Sequence, residues 1–167
     1  MSEGATPAEQ LLECARRNNT ELFLEISAQL GDGPALGDLI NSTTETVSGN
    51  GPLHITTLIG NWEVLDMMLD VAGVEIDPTN RELATPLHLA VKYAADEPEH
   101  GYFIVDNLLD AGSNSCAPDI HGLRPANYVC NNPELLELLK SAEYAAGMAA
   151  VPAAADDEED GSASESE

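Results

Sequence analysis

Positive charge is scarce in this sequence: six Lys and Arg stand against 30 Asp and Glu, a formal net charge of −24 over 167 residues. A field of that sign repels nucleic acid and anionic membrane and attracts basic polypeptides. The acidity is not only a tail effect. The last twelve residues, Asp156 to Glu167, hold seven acids and no base, yet the rest of the chain still carries about 17 net negative charges. No apolar run approaches the ~20 residues of a membrane helix. The N-terminus offers neither an apolar nor a basic targeting stretch. Cysteines number three, Cys14, Cys116 and Cys130, with no paired spacing. They are expected as small buried apolar residues in a reducing compartment, which sets a disulfide scaffold aside. The cytoplasm is the expected location, with the nucleus also open to the chain.

Catalytic sets are missing too. No serine sits in a Gly-x-Ser-x-Gly elbow, and no glycine-rich phosphate loop occurs. His100 and His121 have no Cys, Asp or Glu at metal-ligand spacing. Asp156 to Asp160 lacks the glycine and spacing of a calcium loop. The expectation is a protein that is not an enzyme and takes no cofactor or metal.

What the chain does have is a recurring hexapeptide. Thr85-Pro86-Leu87-His88-Leu89-Ala90 is preceded by Gly51-Pro52-Leu53-His54-Ile55, with His88 standing 34 residues after His54. A degraded copy, Gly122-Leu123-Arg124-Pro125-Ala126-Asn127, follows. It puts Asn127 at the histidine position, 39 residues after His88, so an insertion is expected between them. Asn61-Trp62-Glu63-Val64-Leu65-Asp66 and Asp110-Ala111-Gly112-Ser113-Asn114 fall at the matching later positions. These motifs resemble the ankyrin repeat, whose period is ~33 residues and whose signature is Thr-Pro-Leu-His-x-Ala. The resemblance implies an all-α fold: a solenoid of about four helix-pair repeats with short finger turns. In it Pro opens each inner helix, where no backbone donor is needed, and the signature histidine ties neighbouring repeats.

Residues 1–146 are the expected repeat domain, with repeats at about 5–45, 46–79, 80–117 and 118–146. Thr6-Pro7-Ala8-Glu9 reads as a capped helix start. The first repeat lacks the hexapeptide, as suits a terminal repeat with one face in water. Residues 31–45 read as an enlarged connection with a short helical turn at Leu36, Leu39 and Ile40. Residues 94–101 replace the usual short turn of the third repeat and read as an inserted loop. The last inner helix is cut short at Asn131-Asn132-Pro133. Residues 147–167 are expected to be an Ala-rich and then acidic disordered tail.

The resemblance implies that partners meet the fingers and the exposed inner-helix positions. Carried over position by position, that face holds Arg16, Arg17, Ser48, Asn50, Leu58, Ile59, Arg81, Glu82, Lys92, Tyr93, Ile120, His121 and Leu123. Leu58, Ile59, Tyr93, Ile120 and Leu123 are apolar at positions the fold does not bury, and such patches mark contact sites. Four of the six bases fall on the same face, so the groove reads as mixed and apolar with an acidic rim. The motifs and the acidic tail together resemble small fungal ankyrin-repeat proteins. The layout is also similar to that of a fungal ankyrin protein that escorts a basic ribosomal protein. That likeness implies a chaperone or escort for a basic client such as a newly made ribosomal protein. The alternative is an adaptor or regulatory subunit that binds a folded enzyme or complex through the concave face. Either way the expected partner is a protein, not nucleic acid or membrane, and the chain is expected to be a monomer.

Overall fold

The computed structural model describes residues 5–31 and 33–150, with side chains through 147. The described residues form eight α-helices and one 3-10 turn. Helices α1 (Pro7–Arg17) and α2 (Thr20–Leu30) make the first pair. A separate helix α3 (Ala35–Ser42) follows. Helices α4 (Pro52–Ile59) and α5 (Trp62–Leu69) make the second pair, and α6 (Pro86–Ala94) and α7 (Pro98–Asp110) the third. The last unit joins the 3-10 turn Pro125–Tyr128 to α8 (Pro133–Ala150). The inner row runs α1, α4, α6 and the 3-10 turn, each packed on the next, with the partner helices outside it.

Local chemistry accounts for the starts. Pro opens α1, α4, α6 and α7 at a position that needs no donor. Thr6 Oγ1 accepts the Glu9 amide while Glu9 returns to the Thr6 amide. The helices then bury an aliphatic seam that includes Leu11, Ile26, Leu53, Leu65, Met68, Leu87, Ile104, Leu108, Leu135 and Leu139. No pair could hide its apolar face alone, so stacking holds the array together.

Three expectations change. Residues 94–101 are mostly helix: Ala94 closes α6, Pro98–Gly101 is the first turn of α7, and only 95–97 connect them. Gly101 is buried so tightly that an added Cβ would overlap Ala94, so the two helices meet there backbone to backbone. The enlarged connection carries the two-turn helix α3 rather than a single turn. Asn41 clamps it to the second repeat, donating to the Gly73 carbonyl and accepting from the Glu75 amide, both at 2.8 Å. Helix α8 runs to Ala150, past the boundary at 146. The expected acidic disorder of residues 151–167 lies outside the described residues.

The cysteines divide. Cys14 is buried, Cys116 half-buried and Cys130 exposed. Cys130 departs from expectation because the inner segment of the last unit ends at Tyr128 and no further repeat covers the turn. Burial pushes the Cys14 thiol up to about 11.

Candidate functional site

The fingers form one row. The first, 45–50, closes with the Glu45 amide on the Asn50 carbonyl; the second, 80–84, with Asn80 on Ala84; the third, 119–123, with Asp119 on Leu123. The Arg81 amide bonds the Ser48 carbonyl at 3.1 Å, and the Ile120 amide bonds the Glu82 carbonyl at 2.8 Å. From below, His54 Nδ1 accepts the Gly51 amide at 3.0 Å and its Nε2 meets the Ala84 carbonyl at 2.8 Å. His88 repeats this, accepting the Thr85 amide and reaching the Leu123 carbonyl at 2.9 Å. With Nδ1 accepting, both rings carry their proton on Nε2. The signature histidines therefore tie repeats, as the motif implies. Asn127 keeps only the local half, accepting the Arg124 amide.

Each finger has one left-handed residue near its tip. It is Gly49 in the first (φ +75) and Gly122 in the third (φ +75), but Leu83 in the second (φ +58). Leu83 is 48% exposed, and its amide closes on the Asn80 carbonyl at 2.9 Å. A left-handed non-glycine costs about 1–2 kcal/mol. Val47 is 87% exposed and Ile120 56%, and Leu123 is also exposed, so the tips make an aliphatic row. Glu82 and His121 are exposed beside it.

Other residues of the expected face also bond within the fingers. Ser48 donates to Glu45 at 2.7 Å, and Asn50 accepts from Asn80 at 2.7 Å. The Ser48 bond is the main cause that holds the Glu45 carboxyl below its ordinary value, with help from Arg16 against partial burial. Asp119 anchors the third finger. It is buried, which pushes its carboxyl up, but the Tyr128 hydroxyl and the Leu123 and His121 amides together outweigh this and hold it low. The same bond to Asp119 pushes the Tyr128 hydroxyl up to about 12.

The opposite edge, where inner helices hand over to outer ones, is tied by side chains. Asn61 donates to the Ala15 carbonyl at 2.8 Å, while Asn18, left-handed at φ +54, caps Val64 and donates to Glu63. His100, outside the repeat signature, bonds the Gly60 carbonyl at 2.9 Å. Tyr93 is half-buried rather than open, because its hydroxyl end lies over Gly60. Leu58 and Ile59 are exposed beside it, as expected. Four rings follow one another: Tyr93 edge-on to His100, His100 stacked on Phe103, and Phe103 edge-on to Trp62 with centroids 4.8 Å apart. Leu83 and this ring series were not singled out from sequence. The signal for Leu83 is that glycine holds the matching place in both other fingers.

The bases are not free either. Arg16 bonds Glu45 at 3.0 Å and Arg17 bonds Glu13 at 2.5 Å. Arg81 donates to the Thr46 carbonyl, Lys92 stands 4.5 Å from the Tyr128 ring centroid, and Arg124 and Lys140 share Glu143. All six are held within the molecule, which leaves the surface field to the acids. Two open grooves flank the inner row. One, of about 640 Å³, runs between α1 and the first finger past Leu12, Arg16 and Val47. The other, of about 590 Å³, runs between the starts of α7 and α8 past Tyr102 and Cys130. Among the described residues no three His, Cys, Asp or Glu are placed to hold a metal, and no helix is long and apolar enough to cross a membrane.

No model of a known protein family matches the chain. Curated relatives do. The chain is 42% identical over 149 residues to an ankyrin repeat-containing protein of Saccharomyces cerevisiae, covering 86% of this chain and 82% of that one. It is 30% identical over 102 residues to the human B-cell lymphoma 3 protein, covering 59% of this chain and 21% of that longer protein.

Proposed function

This chain belongs to the ankyrin-repeat family of protein-interaction modules, and on that premise we propose that the finger row is its grip on another polypeptide. The observation that carries this reading is Leu83. A leucine in a conformation that glycine fills in both sister fingers gives up stability at a tip where about half of its surface is open to solvent. Val47, Ile120 and Leu123 extend the aliphatic row. Exposed Glu82 and the net negative charge of the chain favour a partner segment that is apolar with basic flanks. The finer reading is an escort, acting as a monomer in cytoplasm or nucleus, that shields such a segment in a basic client. The adaptor alternative would use Tyr93, Leu58 and residues 94–101; of these Leu58 is exposed, Tyr93 packs on Gly60 and 94–101 is mostly helix, which makes it the second reading.

The test is Leu83→Gly. Relief of strain raises stability by about 1 kcal/mol, less the backbone entropy that glycine adds. Capture of basic proteins from cell extract falls at the same time. A variant that melts higher yet retains its clients would remove the finger row from the function. Salt-insensitive capture, or capture of no protein of high pI, would remove the escort reading and leave the adaptor.

A further inference from the structure

A second contact surface lies off the finger row, on the handover edge. Trp62, the single tryptophan of the chain, meets Phe103 edge to face, and Phe103 is 43% exposed. Trp62 itself is only partly buried. Helix periodicity surrounds this pair with carboxylates. Asp66 lies one turn along α5 from Trp62, and Glu99 and Asp106 lie one turn before and after Phe103 on α7. Asp66 and Glu99 are exposed and Asp106 is half-exposed; none of the ion pairs of the described residues includes them. Glu63, beside them, is taken by Asn18. Arg16 and Arg17 end α1 at this edge but pair with Glu45 and Glu13, and no base pairs with Asp66, Glu99 or Asp106.

A partly exposed aromatic pair, with His100 stacked on Phe103 and with unpaired carboxylates one helical turn away, suits one kind of guest. A guanidinium stacks on an aromatic face and offers a planar fork to a carboxylate, which an ammonium cannot do. We propose that the Trp62–Phe103 edge docks an arginine-bearing segment of a partner, the guanidinium lying against the rings and paired with Asp66 and Asp106. This reading rests on the edge alone. It stands or falls separately from the finger row, which is on the other side of the inner helices.

Trp62 is its own reporter. The full-length chain is titrated with an arginine-rich peptide and with its lysine-substituted counterpart, and Trp62 fluorescence is followed. The expected result is a saturable, salt-sensitive change, with arginine binding about three- to fivefold tighter than lysine. Asp66→Asn with Asp106→Asn should weaken it at least about threefold. Phe103→Leu keeps the bulk, removes the ring, and should erase the preference for arginine. Leu83→Gly, on the fingers, should leave all of this unchanged. No fluorescence change, or one that survives both the paired Asn variant and Phe103→Leu, would mean attraction to the acidic surface at large and would overturn the proposal.

Discussion

His54 is held toward its neutral form in the folded chain. Its Nδ1 takes the Gly51 amide, so a proton there would face another proton. Burial pushes its pKa below the ordinary 6.5, against the pull of the Ala84 carbonyl. As pH falls, the unfolded chain takes up a proton near that ordinary value while the folded chain resists. Stability is therefore full above 6.5 and declines below it. The melting temperature should be lower at about pH 5.5 than at about pH 7.5, and the gap should narrow in His54→Asn. That substitution copies Asn127, which lacks the reach to the next repeat, and should cost about 1–3 kcal/mol by urea titration at neutral pH. The signature residues were legible because half of what they do lies within three positions, as in Thr85 with His88. Leu83 was legible only by setting the three fingers side by side, since no single residue declares a left-handed turn position.

At the scale of elements, two glycines shape the handover edge, Gly60 between the second and third repeats and Gly101 within the third. Gly60 is left-handed at φ +84, and an added Cβ would overlap the Tyr93 hydroxyl end. Gly60→Ala should thus displace Tyr93, disturb the His100 bond beneath it, and cost about 2 kcal/mol or more in a urea titration. Gly101→Ala should separate α6 from α7 and cost about 1–3 kcal/mol. Amide exchange should then quicken in both helices. If it quickened only at 95–97, the close approach of α6 and α7 would not matter to the array. These glycines also explain why 94–101 read as a loop. Pro98 and Gly101 both look like helix breakers in sequence. In three dimensions one starts α7 where a proline is welcome, and the other makes room for Ala94. The helix pairs themselves were legible from period and caps. Helix α3 was half legible, since what holds it, Asn41, acts on residues more than 30 positions away.

For the whole molecule, the governing quantity is charge that has no internal answer. With every base already engaged, the remaining acids repel one another across the folded surface. Raising salt from about 0.01 M to about 0.2 M should therefore raise the melting temperature, while weakening any hold on a basic partner. A melting temperature that fell with salt would mean that pairs such as Arg16–Glu45 outweigh the repulsion. The total charge was plain from composition, but its arrangement was not. Arg16 meets an acid 29 residues away and Arg81 donates to the Thr46 carbonyl 35 residues away, so bases placed on the groove face also fasten the scaffold. The finger row adds one more property. Its members join largely through main-chain bonds, Arg81 to Ser48 and Ile120 to Glu82, so the tip side chains contribute little to holding the row. Val47, Glu82 and Ile120 can be exchanged with little effect on the melting curve, which leaves the address written on this protein open to rewriting while the frame that displays it stays the same.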